Sequence, residues 1–259
     1  MRTGERMKYL KELQEKKVFT LSDVEKLTKN ENTAKSLLQN YKNAGYIVSV
    51  RKNLYAALDL ASGNTIATRY EIATGTSESA YISHHSALEF HGVANQVFFE
   101  VTISAKERLR GFDFDGIRYI PVKSDYFDGV EMPTNSPHVR VTNIERTVVD
   151  CIFDIELAGG LEELLECINL IPQLNEKRLL KYLAGYNQKK LWQRAGFILQ
   201  DYKEMFRLSD KFFDECKANM GVRKNYLGDA ADMKYYPDWR LYAPKNLLAI
   251  LGEGEDVIV

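Results

Sequence analysis

Eight polar side chains between residues 32 and 43 have the types and spacing to read a nucleic-acid groove. With about 100° between successive residues of a helix, Asn32, Ser36, Gln39 and Asn43 share one side. Lys35 and Lys42 flank that side on one edge, Thr33 and Asn40 on the other, and Ala34, Leu37, Leu38 and Tyr41 fall opposite. Amides and hydroxyls match the paired donors and acceptors of base edges, and lysines match phosphates. A short way on, Arg51, Lys52 and Asn53 form a basic turn between two extended runs, suited to flanking phosphates or a minor groove. The same residues also fit an ordinary amphipathic surface helix and its loop, so the surrounding elements must decide.

Those elements are ordered in a telling way. Arg6 to Glu15 carries Tyr9, Leu10 and Leu13 on one face, a short first helix. Val18-Phe19-Thr20 is extended, and Ser22 with Glu25 is a capping box that starts a second short helix, ending near Leu27. Thr28-Lys29-Asn30 turns into the third helix, with Asn30 as its N-cap and Gly45 as its C-cap. Tyr46 to Val50 and Leu54 to Ala57 are then the strands of a hairpin. Helix, helix, turn, helix, hairpin is the order of a winged helix. Residues 1–57 hold twelve Lys or Arg against six Asp or Glu, a net charge of +6, which leaves −7 for the other 202 residues. A near-neutral whole thus conceals a basic module, and order, spacing and charge together point to double-stranded DNA as its partner.

Beyond it, Asp59 to Asn64 is turn-rich and marks a domain boundary near residues 60–65. The expected organisation is α+β, with an N-terminal winged helix-turn-helix over residues 1–60. A larger mixed α/β domain over residues 65–259 follows, with a small sheet and several helices. A short helix is expected over Ile66–Ala73, then one opened by Ser83 and closed by Gly92. Strands follow at Val97–Ser104, at Phe112–Phe114 and Ile117–Ile120 around an Asp115-Gly116 turn, and at Val139–Val141. Thr142 opens a helix through Ile152, and Leu161–Asn169, Asn175–Gly185, Gln188–Leu199 and Ser209–Met220 read as further helices. Met233–Pro244 reads as proline-interrupted strands, Asn246–Leu251 as a helical turn, and Gly252–Val259 as a loosely held tail.

Other groups that could do chemistry are weaker. His84 and His85 are adjacent and point about 100° apart, and no carboxylate or cysteine near them or His91 completes a ligand spacing, so packed or capping histidines are expected and no metal. Glu145, Arg146 and Asp150 resemble an acid pair with an arginine clamp, but an ion-pair set locking a helix to the sheet is the plainer reading. Asp229, Asp232 and Asp238 with Lys245 are what a metal-dependent nuclease would need, yet they lack a nuclease-type pattern. There is no glycine-rich phosphate loop, so no cofactor and no enzymatic activity are expected. Cys151, Cys167 and Cys216 are far apart and read as reduced core thiols. With a charged N-terminus and no long apolar run, the expected location is cytoplasmic, with no membrane partner.

Several blocks also carry a family resemblance. Tyr81-Ile82-Ser83, Ser86-Ala87-Leu88 and His91-Gly92-Val93 resemble the segment after the winged helix in the AbiEi antitoxins of type IV toxin–antitoxin, abortive-infection systems. Val141-Thr142, Glu145-Arg146-Thr147, Asp150, Ala158-Gly159-Gly160 and Arg194 to Leu199 are similar to that family's later blocks, in order, from about Met7 to Leu199. At the wing tip, similar proteins often have a glycine where this chain has Asn53, which still tolerates a left-handed backbone. The resemblance implies a repressor that binds inverted repeats in its own promoter and counters a nucleotidyltransferase-like toxin, with or without touching it. A ligand-responsive regulator with no toxin partner is the alternative from residue chemistry.

Overall fold

The computed structural model describes residues 3–228, 233–245 and 247. Asp229, Asp232, the tail from Gly252 and, apart from Leu247, the expected turn at Asn246–Leu251 lie outside the described residues. In chain order the elements are α1 (Thr3–Lys16), β1 (Val18–Phe19), α2 (Leu21–Thr28), α3 (Glu31–Asn43), β2 (Ile47–Arg51), β3 (Leu54–Ala57), α4 (Arg69–Thr74) and β4 (Tyr81–Ile82). Next come α5 (His84–Phe90), β5 (Glu100–Ala105), β6 (Phe112–Phe114), β7 (Ile117–Lys123), β8 (Val130–Glu131) and β9 (Val141–Thr142). Then follow α6 (Ile144–Phe153), α7 (Leu161–Asn169), α8 (Glu176–Tyr186), α9 (Lys189–Gln200), α10 (Lys203–Phe206) and α11 (Asp210–Asn219). β10 (Asn225–Tyr226), β11 (Met233–Tyr236) and β12 (Leu241–Pro244) complete the set. The described chain is α+β. It divides into two compact units, the first made of Met1–Ile82, Phe99–Ser124 and Met132–Arg140, the second of Ser83–Phe98, Asp125–Glu131 and the chain from Val141 on. The turn expected to bound the first domain, residues 60–65, lies inside the first unit.

In the first unit, local capping sets the register of the opening helices. Thr20 is extended and its hydroxyl accepts from Asp23 N–H while the Asp23 carboxylate accepts from Thr20 N–H. The box therefore sits at Thr20–Asp23, not at the expected Ser22–Glu25, because β1 keeps the chain extended up to Thr20 and Ser22 is already inside α2. Asn30 caps α3 by accepting from Thr33 N–H at 2.9 Å. Ala44 ends that helix and Gly45 follows with φ +71°, so the glycine is the first residue past the cap. β3 pairs with β1 and β2 on its two sides, antiparallel in both cases, and Asn53 turns the β2–β3 hairpin with φ +62°. Leu10, Leu13, Phe19, Val24, Leu37, Leu38, Tyr41 and Ile47 close one core between helices and sheet. Each such side chain contributes about 1.5–3 kcal/mol by leaving water.

The rest of that unit is a four-stranded arrangement in the order β6-β7-β5-β4, with β5 and β7 parallel and the other pairs antiparallel. Asp115 (φ 52°) and Gly116 (φ 74°) make the left-handed pair that a two-residue hairpin requires. α4 is capped by Thr68 with Glu71 and starts at Arg69, since Ile66 N–H is still bonded to Ala57 C=O in extended chain. Strand β5 begins at Glu100 instead of Val97 because Phe98 N–H is taken by the Glu89 carboxylate at 2.8 Å. The strand expected at Val139–Val141 shrinks to Val141–Thr142. Arg140 instead directs its guanidinium to the carbonyls of Thr74, Ser77 and Ala80 at 2.6, 2.7 and 2.7 Å, pinning the loop after α4.

Helices dominate the second unit. Asn143, not Thr142, caps α6, its side-chain oxygen accepting from Arg146 N–H at 3.1 Å, because Thr142 belongs to β9. Arg146 is 1% exposed. Its Nε donates to Asp150 at 2.5 Å, its Nη1 to Asp128 C=O at 2.6 Å, and its guanidinium packs over the rings of Tyr126 and Tyr186. Glu145 turns elsewhere, accepting from Asn175 N–H at 2.9 Å and pairing with Arg178. Helices α7, α8, α9 and α11 lie within a residue or two of their expected spans, since each has a strong apolar stripe, while the four-residue α10 is too short to leave a periodic signal. The three cysteines are buried and unbridged.

Candidate nucleic-acid interface

Helix α3 buries Ala34, Leu37, Leu38 and Tyr41 and exposes Asn32, Ser36, Gln39 and Asn43, so the expected dry and wet faces are both present. Beside the wet face runs a groove of about 320 Å³ between α3 and the β2–β3 hairpin. Lys35, Gln39 and Lys42 line it from the helix, Ser49 and Tyr55 from the hairpin. Stacking of Tyr55 on Phe19, with centroids 6.2 Å apart, ties this wall to β1.

The individual side chains are not equivalent. Lys35 pairs with Glu31 at 2.6 Å, both 56% exposed, and that hydrogen bond holds the Glu31 carboxyl below its ordinary range. Lys42 is exposed on the groove, and among the described residues no carboxylate pairs with it. Thr33 gives its hydroxyl to the Asn30 cap at 3.1 Å, which takes it out of the exposed row. Gln39 Nε2 donates to Asn43 Oδ1 at 2.8 Å. Asn32, Ser36 and Asn40 stand exposed, and Asn40 C=O accepts from Ala44 N–H at the end of the helix.

At the hairpin, Lys52 is exposed, while Asn53 uses its side-chain oxygen to accept from Leu21 N–H at 3.0 Å and so ties the hairpin tip to the start of α2. Arg51 is not free at the tip. Its Nη1 donates to Arg110 C=O at 3.2 Å and its guanidinium lies 5.0 Å from the Phe112 ring centre. The loop joining β5 to β6 therefore sits against the hairpin, bringing exposed Arg108 and Arg110 to the basic face. That loop is anchored: Lys106 N–H donates to Ser79 Oγ at 2.9 Å, and the Glu107 carboxylate accepts from the hydroxyls of Ser77 and Ser79, which hold it below its ordinary range. Sequence reasoning passed over this loop. Its signal was three basic residues in five, but nothing local says that they meet Arg51.

The described residues have a structural likeness to RV2827C, a protein of Mycobacterium tuberculosis whose crystal structure superposes with a TM-score of 0.65. The two chains are 15% identical over 98% of this chain and 95% of the other, a likeness of fold alone. No family model matches the sequence, and no curated protein matches it. Among the described residues no helix is long and apolar enough to cross a membrane.

The histidines of α5 have partners that sequence spacing did not reveal. His85 Nε2 lies 2.9 Å from Glu163 Oε1, and that oxygen also accepts from Gln96 N–H at 3.0 Å and from Cys167 Sγ at 3.2 Å. His85, Glu163 and Cys167 thus converge within the reach of a metal ion, although an ion would have to displace three hydrogen bonds already made to one oxygen. Burial pushes the Cys167 thiol up to about 12, away from the thiolate a metal takes. The cluster works as a polar clamp between α5 and α7, with Phe98 stacked on the His85 ring at 4.0 Å. Ser83 precedes α5 but makes no cap, since its hydroxyl is bonded to His84 Nδ1 at 2.9 Å.

Proposed function

We propose that α1 to α3 and the β2–β3 hairpin act as a winged helix that binds double-stranded DNA in a sequence-dependent way, making the chain a transcriptional repressor. The observation that carries this reading is the exposed amide row of α3 beside a lysine-rimmed groove, in a segment of net charge +6. Gln39, Asn43, Ser36 and Asn32 face base edges, and Lys42, Lys52, Arg108 and Arg110 face phosphates. Lys35 joins them at the cost of its pairing with Glu31. The resemblance to AbiEi antitoxins extends the reading: autoregulation through promoter inverted repeats, and opposition to a nucleotidyltransferase-like toxin encoded alongside.

The test is a salt-resolved titration of the purified chain against the DNA upstream of its own reading frame and against a scrambled duplex of equal length. Tight, sequence-dependent binding with a steep salt slope is the expected result. Equal, weak binding to both duplexes would refute the repressor reading. Toxin co-expression then tests the antitoxin half, with rescue of growth expected.

A second reading, a regulator answering to a small metabolite, has one observation in its favour. A cavity of about 350 Å³ in the second unit is lined by Lys190, Arg194, Asp154 and Tyr226, and the buried Nε of Arg194 has no hydrogen-bond partner. Thermal stabilisation by millimolar inorganic phosphate, lost in Lys190→Ala, would favour it.

A further inference from the structure

Gln39 and Asn43 are one helical turn apart on the exposed face of α3, and their amides are bonded to each other at 2.8 Å. That bond uses a donor of Gln39 and an acceptor of Asn43. It leaves Gln39 Oε1 as an acceptor and Asn43 Nδ2 as a donor on two exposed side chains, and each amide fixes the orientation of the other. The result is a two-point reader with a set order of acceptor and donor. Among single bases only adenine complements it in the major groove, donating through its N6 amino group and accepting through N7. Guanine presents two acceptors, so the Gln39 oxygen would face another oxygen. Cytosine offers a single donor, and thymine an acceptor beside a methyl group.

We propose that Gln39 and Asn43 together read one adenine in each recognition site, as a composite in which Gln39 accepts from N6 and Asn43 donates to N7. The inference rests on the DNA-binding reading above and adds to it the base that is recognised. Because the pair is already bonded in the free chain, little side-chain freedom remains to be lost on docking. Lys42, between the two in sequence and exposed on the groove, is placed to hold a nearby phosphate and fix the depth of the helix. A pair that served only to steady the helix would show no coupling to any base.

The experiment uses the full chain and its upstream duplex, with each adenine of the protected segment replaced singly by 7-deazaadenine, which lacks the N7 acceptor, and each guanine by 7-deazaguanine. The parent chain should lose about five- to a hundredfold in affinity at one adenine per site. Gln39→Ala and Asn43→Ala, checked for folding by circular dichroism, should both bind more weakly from the start; Asn43→Ala should show no further loss at that same adenine, and Gln39→Ala, which keeps the Asn43 donor but no longer holds it in place, a reduced one. A penalty at no adenine, a penalty that persists in both variants, or coupling to a guanine instead would overturn the assignment. If the unmodified upstream duplex binds no better than its scrambled counterpart, the specific-reader function itself fails, and that comparison involves no altered base.

Discussion

Lys35 and Lys42 carry the same charge on the same helix edge, yet their company differs. Glu31 sits within 2.6 Å of the Lys35 ammonium, so a phosphate reaching Lys35 must compete with a carboxylate already in place. Lys42→Ala is expected to lower the salt slope of DNA binding by about one unit, and Lys35→Ala by clearly less. Glu31→Gln should tighten binding at low salt, by freeing Lys35 and removing a negative charge from the face. Slopes that fall equally in both lysine variants would show that the ion pair opens freely on DNA. The pairing was legible from spacing alone, because residues four apart on a helix meet. The bond between Arg51 and Arg110 was not, because 59 residues separate them and periodicity names a face but never a partner.

At the scale of elements, sequence carried the existence of nearly every helix and hairpin, because apolar stripes and capping residues are local. It misplaced boundaries where two signals overlapped, as at Thr20 and Ser22, or where a distant group claimed a backbone amide, as Glu89 does for Phe98. Two elements can be tested through their turns. Asn53 holds φ +62° and also bonds Leu21 N–H, so Asn53→Ala loses both and should cost about 1–2 kcal/mol in denaturant melts. Asn53→Gly, relieved of the backbone strain, should cost less; equal losses would place the whole effect in the side-chain bond. The clamp between α5 and α7 has a pH signature. Burial would raise the Glu163 carboxyl, but hydrogen bonds from His85, Gln96 and Cys167 hold it lower than usual. With the folded pKa below the unfolded one, about 4.3, the carboxylate's contribution is present above that value and lost as pH falls through the folded pKa. Glu163→Gln should therefore melt earlier than the parent near neutrality, and the gap should close in acid. A gap that is the same at every pH would take the charge out of the account.

Across the whole molecule, the turn at residues 60–65, expected as a domain boundary, lies within the first compact unit. Lys17 binds Glu71 at 2.7 Å, and Ile66 N–H reaches back to Ala57 C=O, so the first helices lean on residues well past that turn. Gly75 shows how closely: a Cβ there would stand 2.5 Å from Val18 Cγ1. Gly75→Ala is expected to cost about 1–3 kcal/mol by overpacking and to weaken DNA binding at elevated temperature, read from parallel melts and titrations. An unchanged melting point would mean that β1 yields without strain. A charge and hydropathy survey could not have located this division, because the first unit is assembled from three separate stretches of chain, the last ending at Arg140. That discontinuity has a bearing on synthesis. A nascent chain that has emerged as far as residue 82 holds α3 but not the strands on either side of the basic loop, and the next 58 residues, up to Arg140, take about 3–12 s to emerge at roughly 5–20 residues per second. If α3 reads DNA as proposed, competence to grip an operator comes on in one step once residue 140 has left the ribosome, rather than growing with each helix as it emerges.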